Sequence, residues 1–374
     1  MLGHIKQRIG VTALVVIVFC LLTITGVFSN AQLGLGDSLY GGGAASDVII
    51  IAAIDDKSLQ EIGRWPWDRG VFAELVQKLN DSAVIGFDVA FFEQSSRAED
   101  ASLADAVKKA GNVVVPVEFM VSGTRISTTE LLKPIPQLAD AVAAAGYVNV
   151  LTDGDSITRA VPFGISPQQV SLSEAVVETY TNQKPIVPEG RALINFVGPA
   201  ASFTTLPITD IINGRVSPET LAGKIVLVGA TAPDLHDDYF VPTSRGKAMP
   251  GVEVHANIVQ MILTNNYIYA QSQFWVIISI VLFSGLIFAC TALKKIWLGV
   301  VCACIASVAY IFYAIWTFST GTIINIVHVI LSGFVVYIAN IAVSYMLERR
   351  EKTKVTEAFG KYVSPVVVGE ILKH

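Results

Sequence analysis

The chain has 374 residues, 52% of them hydrophobic and only 15% charged, with a mean hydropathy of +0.57; a soluble domain is about 45–50% apolar and about 25% charged. This excludes a disordered chain, a net charge of −5 excludes the basic face of a nucleic-acid binder, and four cysteines are too few for a disulfide-stapled scaffold. What remains is an integral membrane protein that carries a sizeable folded domain.

In chain order, residues 1–8 place Lys6 and Arg8 ahead of a long apolar stretch, Ile9–Phe28, which reaches the roughly 20 residues that a bilayer-spanning helix needs. Ser29-Asn30-Ala31 has the small-x-small pattern of a signal-peptidase site. The apolar stretch exceeds the roughly 7–15 residues of a signal core, which favours an uncleaved anchor. Residues 29–273 contain no further span. Past a glycine-rich entry, Val48–Ile54 is a continuous apolar run ending in Asp55-Asp56, the pattern of a buried strand in a parallel sheet. The loop Gly63–Gly70 (GRWPWDRG) places Asp68 to cap a helix through about Leu79, with Phe72, Leu75, Val76 and Leu79 on one face. Val84–Asp88 and Val113–Val117 predict strands, with a helix near Glu99–Ala110 between them. Tyr147–Val150 and Thr158–Phe163 read as a hairpin around the turn Asp153–Ser156 (DGDS). A helix over Ser171–Thr181, a strand over Leu193–Val197 and a short helix over Leu206–Asn213 follow. Lys224–Gly229 is another strand, and Val252–Thr264 an amphipathic helix running towards the second span. Strands alternating with helices predict an α/β layered domain with a largely parallel sheet, long enough to bury a core without staples.

Three more apolar stretches follow, Phe274–Leu293, Ile296–Phe318 and Thr322–Leu347. Lys294 and Lys295 fill the turn between the first two of these, and Arg349, Arg350, Lys352 and Lys354 follow the last. Basic residues beside spans stay cytoplasmic. The fold expected is therefore an extracytoplasmic α/β domain (29–273), four transmembrane α-helices, and cytoplasmic ends at 1–8 and 348–374, in a multi-pass protein of the cell membrane. The outer segment holds 27 Asp and Glu against 16 Lys and Arg, and the remainder 4 against 10, which agrees with that orientation. All four cysteines, Cys20, Cys290, Cys302 and Cys304, fall within spans and read as small apolar packing groups.

Chemistry-bearing residues are sparse, and no catalytic residue is assigned. In GKIVLVGAT, Lys224 precedes the strand, the reverse of a phosphate loop. The backbone around Ala230–Asp234 falls where open α/β sheets place ligands. Thr231 is therefore a ligand-binding candidate, with Asp55, Asp56 and Asp88 at the ends of the first two strands. Arg64, Trp65 and Trp67 around Pro66 are candidates for lining a small-molecule pocket, loop packing being the alternative. Asp234, His236, Asp237 and Asp238 cluster in DLHDD, and Glu253 and His255 alternate in GVEVHAN; of these Asp234, His236 and His255 are the candidate ligands for zinc or another divalent cation, the alternative being a solvated acidic loop and a polar helix end. DGDS lacks the ligand ladder of a calcium loop and reads as a turn. Asn325, His328 and Ser332 share a face of the fourth span, with Asn340 further along. Polar groups in lipid turn inward, as fixed links or as contacts that shift during signalling.

Together, VIIIAAIDDKSLQEIGRWPWDRG, VIGFDVAFFE, DGDSITRAVPF, LINFVGP, GKIVLVGATAPDLHDDYFVPTS and MPGVEVHANIVQ resemble the type-2 CHASE domain. That domain is the extracytoplasmic sensor of cyclases and histidine kinases, and the resemblance covers roughly residues 30–273. Three spans after the sensor are also similar to that family, whose usual DGDG turn stands here as DGDS. A second segment, Glu348–His374, is similar to the helical connector that opens a class III adenylate or guanylate cyclase, the likeness lying in FGKYVSPVVVGEIL (Phe359–Leu372). The resemblance implies a transmembrane receptor with a cyclase output. Divalent metal and ATP would serve only the catalytic domain; this chain lacks that domain's metal-holding aspartates and transition-state arginine, and is expected to need no cofactor itself. It reads as the sensor and membrane half of a receptor cyclase, excised or truncated. The resemblance also implies a homodimer, since class III active sites form between two catalytic domains. Its other partners would be an unassigned extracytoplasmic stimulus and membrane lipid, with no nucleic acid. The signal is expected to run from helix Val252–Thr264 through the spans, by way of Asn325, His328 and Asn340, to Phe359. The competing readings are the sensor half of a histidine or Ser/Thr kinase and a stand-alone envelope binding protein.

Overall fold

The computed structural model describes residues 2–122, 125–293 and 295–360. The chain separates into two compact units, one of Asp37–Tyr269 and one of Met1–Gly36 with Ala270–His374. In chain order the elements begin α1 (Leu2–Ile24), α2 (Ser29–Asp37), β1 (Ile49–Ile54), α3 (Asp56–Ile62), α4 (Arg69–Lys78), β2 (Val84–Asp88) and α5 (Arg97–Ala110). Next come β3 (Val113–Ser122), β4 (Arg125–Leu132), α6 (Pro136–Ala139), β5 (Ala144–Tyr147), β6 (Leu151–Thr152), β7 (Thr158–Phe163) and α7 (Leu172–Thr181). After β8 (Gly190–Leu193), β9 (Thr204–Pro207), α8 (Ile208–Ile212), α9 (Pro218–Leu221) and β10 (Ile225–Ala230) the chain forms β11 (Asp238–Tyr239), β12 (Met249–Pro250) and α10 (Gly251–Leu263). The last helices are α11 (Gln273–Cys290), α12 (Ile296–Ser319) and α13 (Val327–Gly360).

In the Asp37–Tyr269 unit the strand order is β9-β1-β10-β2-β3, with β5 also on β3, and all of these pairings are parallel. β4 joins β3 antiparallel. Side-chain alternation along the strands divides the packing. Ile50, Ala52, Ile54, Ile85, Phe87, Val226 and Val228 share one core cluster with Phe72, Leu75 and Val76 of α4 and Leu103 and Val107 of α5. α7 and α10 pack against strands of the same sheet, and two of the strand residues beneath them are glycines. A Cβ on Gly86 would stand 2.8 Å from Val176 Cγ2, and one on Gly229 2.6 Å from Val252 Cβ. The two glycines therefore set how closely these helices approach. β2 feeds α5 and the adjacent β10 feeds α10, so neighbouring parallel strands send their chains to opposite faces. That divergence opens a crevice at the strands' carboxyl ends, the place where open α/β sheets bind ligands.

Local chemistry fixes the helix ends. Ser96 caps α5 by accepting from the Glu99 N–H, and Gly111 closes it at φ 70°. Ser171 and Glu174 form a reciprocal capping box on α7, and Asp55 caps α3 by accepting from the Ser58 N–H. Asp68 occupies the N-cap position of α4 but makes no side-chain capping bond. The expected strand Leu193–Val197 is corrected: β8 ends at Leu193. Beyond it the Ile194 N–H still donates to the Arg159 carbonyl of β7, the Phe196 N–H turns to the Ile194 carbonyl and the Val197 N–H to Asn257 Oδ1, so the pairing with β7 gives way to local and side-chain bonds.

In the other unit four helices are long and apolar enough to cross a membrane, His4–Ile24, Gln273–Cys290, Ile296–Ser319 and Val327–Lys354. Phe19, Ile280, Phe283, Ile287, Val329 and Val336 of α1, α11 and α13 form a shared core. Outward faces expose Leu14, Leu282, Phe312, Trp316 and Phe334, side chains suited to hydrocarbon rather than water.

Candidate functional site

A cavity of about 320 Å³ opens at the carboxyl ends of β2 and β3, beside β11 and the first turn of α10. Asp88, Glu118, Asp237, Tyr239, Asn149 and His255 furnish its polar lining. Each is placed by a local feature. Asp88 ends β2 in register with Gly229 of β10. Asp237 approaches the start of α10 closely, its backbone carbonyl accepting from the Gly251 N–H at 2.8 Å. A Cβ on Gly251 would stand 2.5 Å from Asp237 Oδ2, so only glycine leaves room for the carboxylate there. Asn149 is committed to the wall, since its amide pairs at 2.9 and 2.8 Å with the Phe119 backbone.

Burial, joined by the nearby Glu118 charge, pushes the Asp88 carboxyl up to about 7. Burial and the repulsion of Asp88 push the Asp237 carboxyl up to about 7 as well. Burial acts on His255 in the opposite direction, depressing it to about 4 against the pull of Asp237, and so favours the neutral ring. Burial, reinforced by Asp237, raises the Tyr239 phenol. His255 Nε2 lies 3.9 Å from Asp88 Oδ1, and Nδ1 faces Ser173 Oγ at 3.4 Å. A cavity whose wall carries three carboxylates and a neutral imidazole attracts positive charge.

A second polar assembly surrounds Arg159 on β7, 3% exposed. Its guanidinium donates to Asp37 at 2.8 and 2.7 Å, to Asp155 at 2.9 and 2.7 Å and to Asp153 at 2.9 Å. Arg191 binds Asp153 from outside at 2.7 Å. The DGDS turn thus presents two carboxylates to a buried cation. Burial opposes ionisation of Asp153, but hydrogen bonds from Arg191 and Arg159 outweigh it and hold the carboxyl below its usual range. The Arg159 hydrogen bond does the same for Asp155.

The residues singled out from the sequence separate into distinct places. Asp88 and His255 meet in the cavity. Asp55 is a helix cap, Asp56 is exposed in the first turn of α3, and Thr231 donates its N–H to the Ile54 carbonyl at 3.0 Å. Trp65 and Trp67 pack edge-on at 5.3 Å against the core around Phe72, with Trp67 Nε1 donating to the Gly63 carbonyl; Arg64 is exposed. Asp234 and His236 are exposed on a turn, apart from the cavity lining that includes His255. Among the described residues no group of three or more His, Cys, Asp or Glu is placed to hold a metal ion. Glu253, alternating with His255, instead accepts from the Ala201 and Ser202 N–H groups at 2.8 Å each. Glu118 and Tyr239 were not singled out, and Asp237 was read only as a member of the DLHDD cluster. Glu118 had a signal, a carboxylate on an otherwise apolar strand.

In the helical unit Asn325 Oδ1 accepts from the His328 N–H at 3.1 Å, and His328 Nε2 donates to the Val27 carbonyl at 2.7 Å. Ser332 pairs with Ser284 at 3.1 Å, and Asn340 donates to Thr12 Oγ1 at 2.8 Å. Phe359 lies within α13, its side chain and the stretch from Lys361 to His374 being outside the described residues.

A family model described as the CHASE2 domain matches residues 11–291. No curated protein and no solved structure matches the chain.

Proposed function

The chain belongs to the CHASE2 domain family, an extracellular sensor family of signalling proteins, and from that premise we propose that it is the sensing and membrane portion of a receptor with a class III cyclase output. In this reading Asp37–Tyr269 is a layered sensor outside the membrane, the four apolar helices span it, and both ends of the chain are cytoplasmic. The cavity at the ends of β2 and β3 takes the stimulus. The observation that carries the reading is that cavity: half-buried carboxylates gathered at the ends of β2 and β3, two strands otherwise largely apolar. The cyclase output is supported by the FGKYVSP likeness that begins at Phe359.

A stimulus biases a receptor only by binding its two states unequally. Binding in the cavity would reposition α10, whose first turn lines it, and the connector would report that change as a rotation of α13. The test is cyclic-nucleotide output from this chain joined to a cyclase catalytic domain. Inserting one residue within Glu348–Lys354 turns the helix by about 100° and should change output several-fold. Output unchanged by one- and two-residue insertions would overturn rotation as the mechanism. A topology reporter at His374 that proved external would overturn the orientation.

A further inference from the structure

We propose that the cavity at the ends of β2 and β3 binds a small organic cation, an aliphatic amine or diamine held as its ammonium among Asp88, Glu118 and Asp237. This rests on the reading of the cavity as the stimulus site and adds the chemistry of the occupant. Charge gives the first argument. Three carboxylates line the space and no Lys or Arg is among the described lining residues, so an anion would meet only repulsion and a neutral polyol would leave the carboxylates without counter-charge. Hydrogen bonding gives an independent one. The His255 side chain is 7% exposed and lines the cavity, and its Nε2 lies 3.9 Å from Asp88 Oδ1, beyond hydrogen-bond reach. Nδ1 faces Ser173 Oγ; with that nitrogen protonated, Nε2 is an acceptor without a donor. An ammonium N–H aimed at Nε2 from the cavity supplies the donor.

Geometry separates an organic cation from a metal. A bound divalent ion draws its ligands to within about 2.0–2.6 Å of one point, and among the described residues no such convergence exists. The carboxylates are instead spread over the walls of about 320 Å³, room for several heavy atoms with an ammonium at one or both ends. Asn149 is spent on the Phe119 backbone, so recognition falls to the carboxylates, Tyr239 and His255.

The experiment is calorimetric titration of the full chain in nanodiscs at pH 8 with 1,4-diaminobutane and n-butylamine, and in separate arms with butane-1,4-diol, Mg²⁺ and Ca²⁺. The expected result is saturable binding of at least one amine at one site per chain, with no binding of the diol or the metals. Asp237→Asn and Glu118→Gln should each weaken the amine tenfold or more, and Glu178→Gln on the exposed face of α7 should leave it unchanged. The Asp88 side chain makes no hydrogen bond among the described residues, so Asp88→Asn keeps the fold and is the second variant if another fails to unfold cooperatively. Absence of amine binding, equal binding of the diol, metal binding alone, or indifference to all three substitutions would overturn the proposal. Cyclase output is read separately. Amine binding with no change in output would sink the receptor reading and leave the site standing; output driven by another stimulus without amine binding would sink the cation assignment alone.

Discussion

At the scale of single residues, Arg159 and Asp88 show opposite ways of burying charge. Arg159 is matched by Asp37, Asp153 and Asp155, and removing one member of a buried ionic assembly strands the others. Arg159→Ala should destabilise the α/β unit by about 3–5 kcal/mol, seen as a lowered denaturation midpoint of the full chain. Arg159→Lys should recover little, because an ammonium lacks the planar fork that reaches two carboxylates at once. Asp88 and Asp237 have no such cation. Their carboxyls are raised to about 7 by burial, so between about pH 4 and 7 the folded state holds protons that the unfolded chain has released. Their contribution to stability therefore falls as pH rises through that range. His255, depressed to about 4, acts with the opposite sign between about pH 4 and 6.5 and offsets part of it. From pH 6.5 to 7.5 only the carboxylates act. Asp88→Asn should flatten the decline and raise stability at pH 7.5 by on the order of 2 kcal/mol, measured as the pH dependence of the unfolding temperature. Such partnerships are only half legible in a sequence. Asp88 stands out at the end of an apolar strand, but nothing in DGDS announces that its aspartates face a buried guanidinium 122 residues from Asp37.

Among the elements, those that bury both faces were the readable ones. β1, β2 and β10 are unbroken apolar runs, and burial on both sides leaves no alternation to confuse them. β9 is half exposed at an edge of the sheet, and its TTLP sequence carries no pattern. The run Leu193–Val197 looks like a strand because it is largely apolar; past Leu193 its N–H groups go to the Arg159 and Ile194 carbonyls and to Asn257 Oδ1, and burial alone does not make a ladder. Close approaches between elements are legible only afterwards, at glycine. A Cβ on Gly146 would lie 2.6 Å from backbone atoms of Ser171 and Leu172, where β5 meets the capped start of α7. Backbone cannot yield as a side chain can, so Gly146→Ala should cost at least about 1–3 kcal/mol. Gly70→Ala in α4, with nothing within 4 Å of the added carbon, should be neutral or stabilising by about 0.5–1 kcal/mol. Chemical denaturation of the two variants side by side checks the contrast.

For the molecule as a whole, hydropathy and charge made the division of the chain visible before any geometry, because lipid-facing helices tolerate so few charges. The α/β unit occupies Asp37–Tyr269 between two parts of the helical unit, and nine residues separate the end of α10 at Leu263 from the start of α11 at Gln273. A flexible twenty-residue Gly-Ser insertion after Tyr269 should leave the thermal transition of the α/β unit within about a degree of its original temperature and abolish stimulus-dependent output, since mobile linkers of this kind transmit little strain. An unchanged response would place the transmission elsewhere. A body hung from a single thread spins without consequence, whereas one strung between two threads winds them against each other when it turns. Because this unit both enters from and returns to the same set of helices, any twist it acquires has nowhere to dissipate but into them.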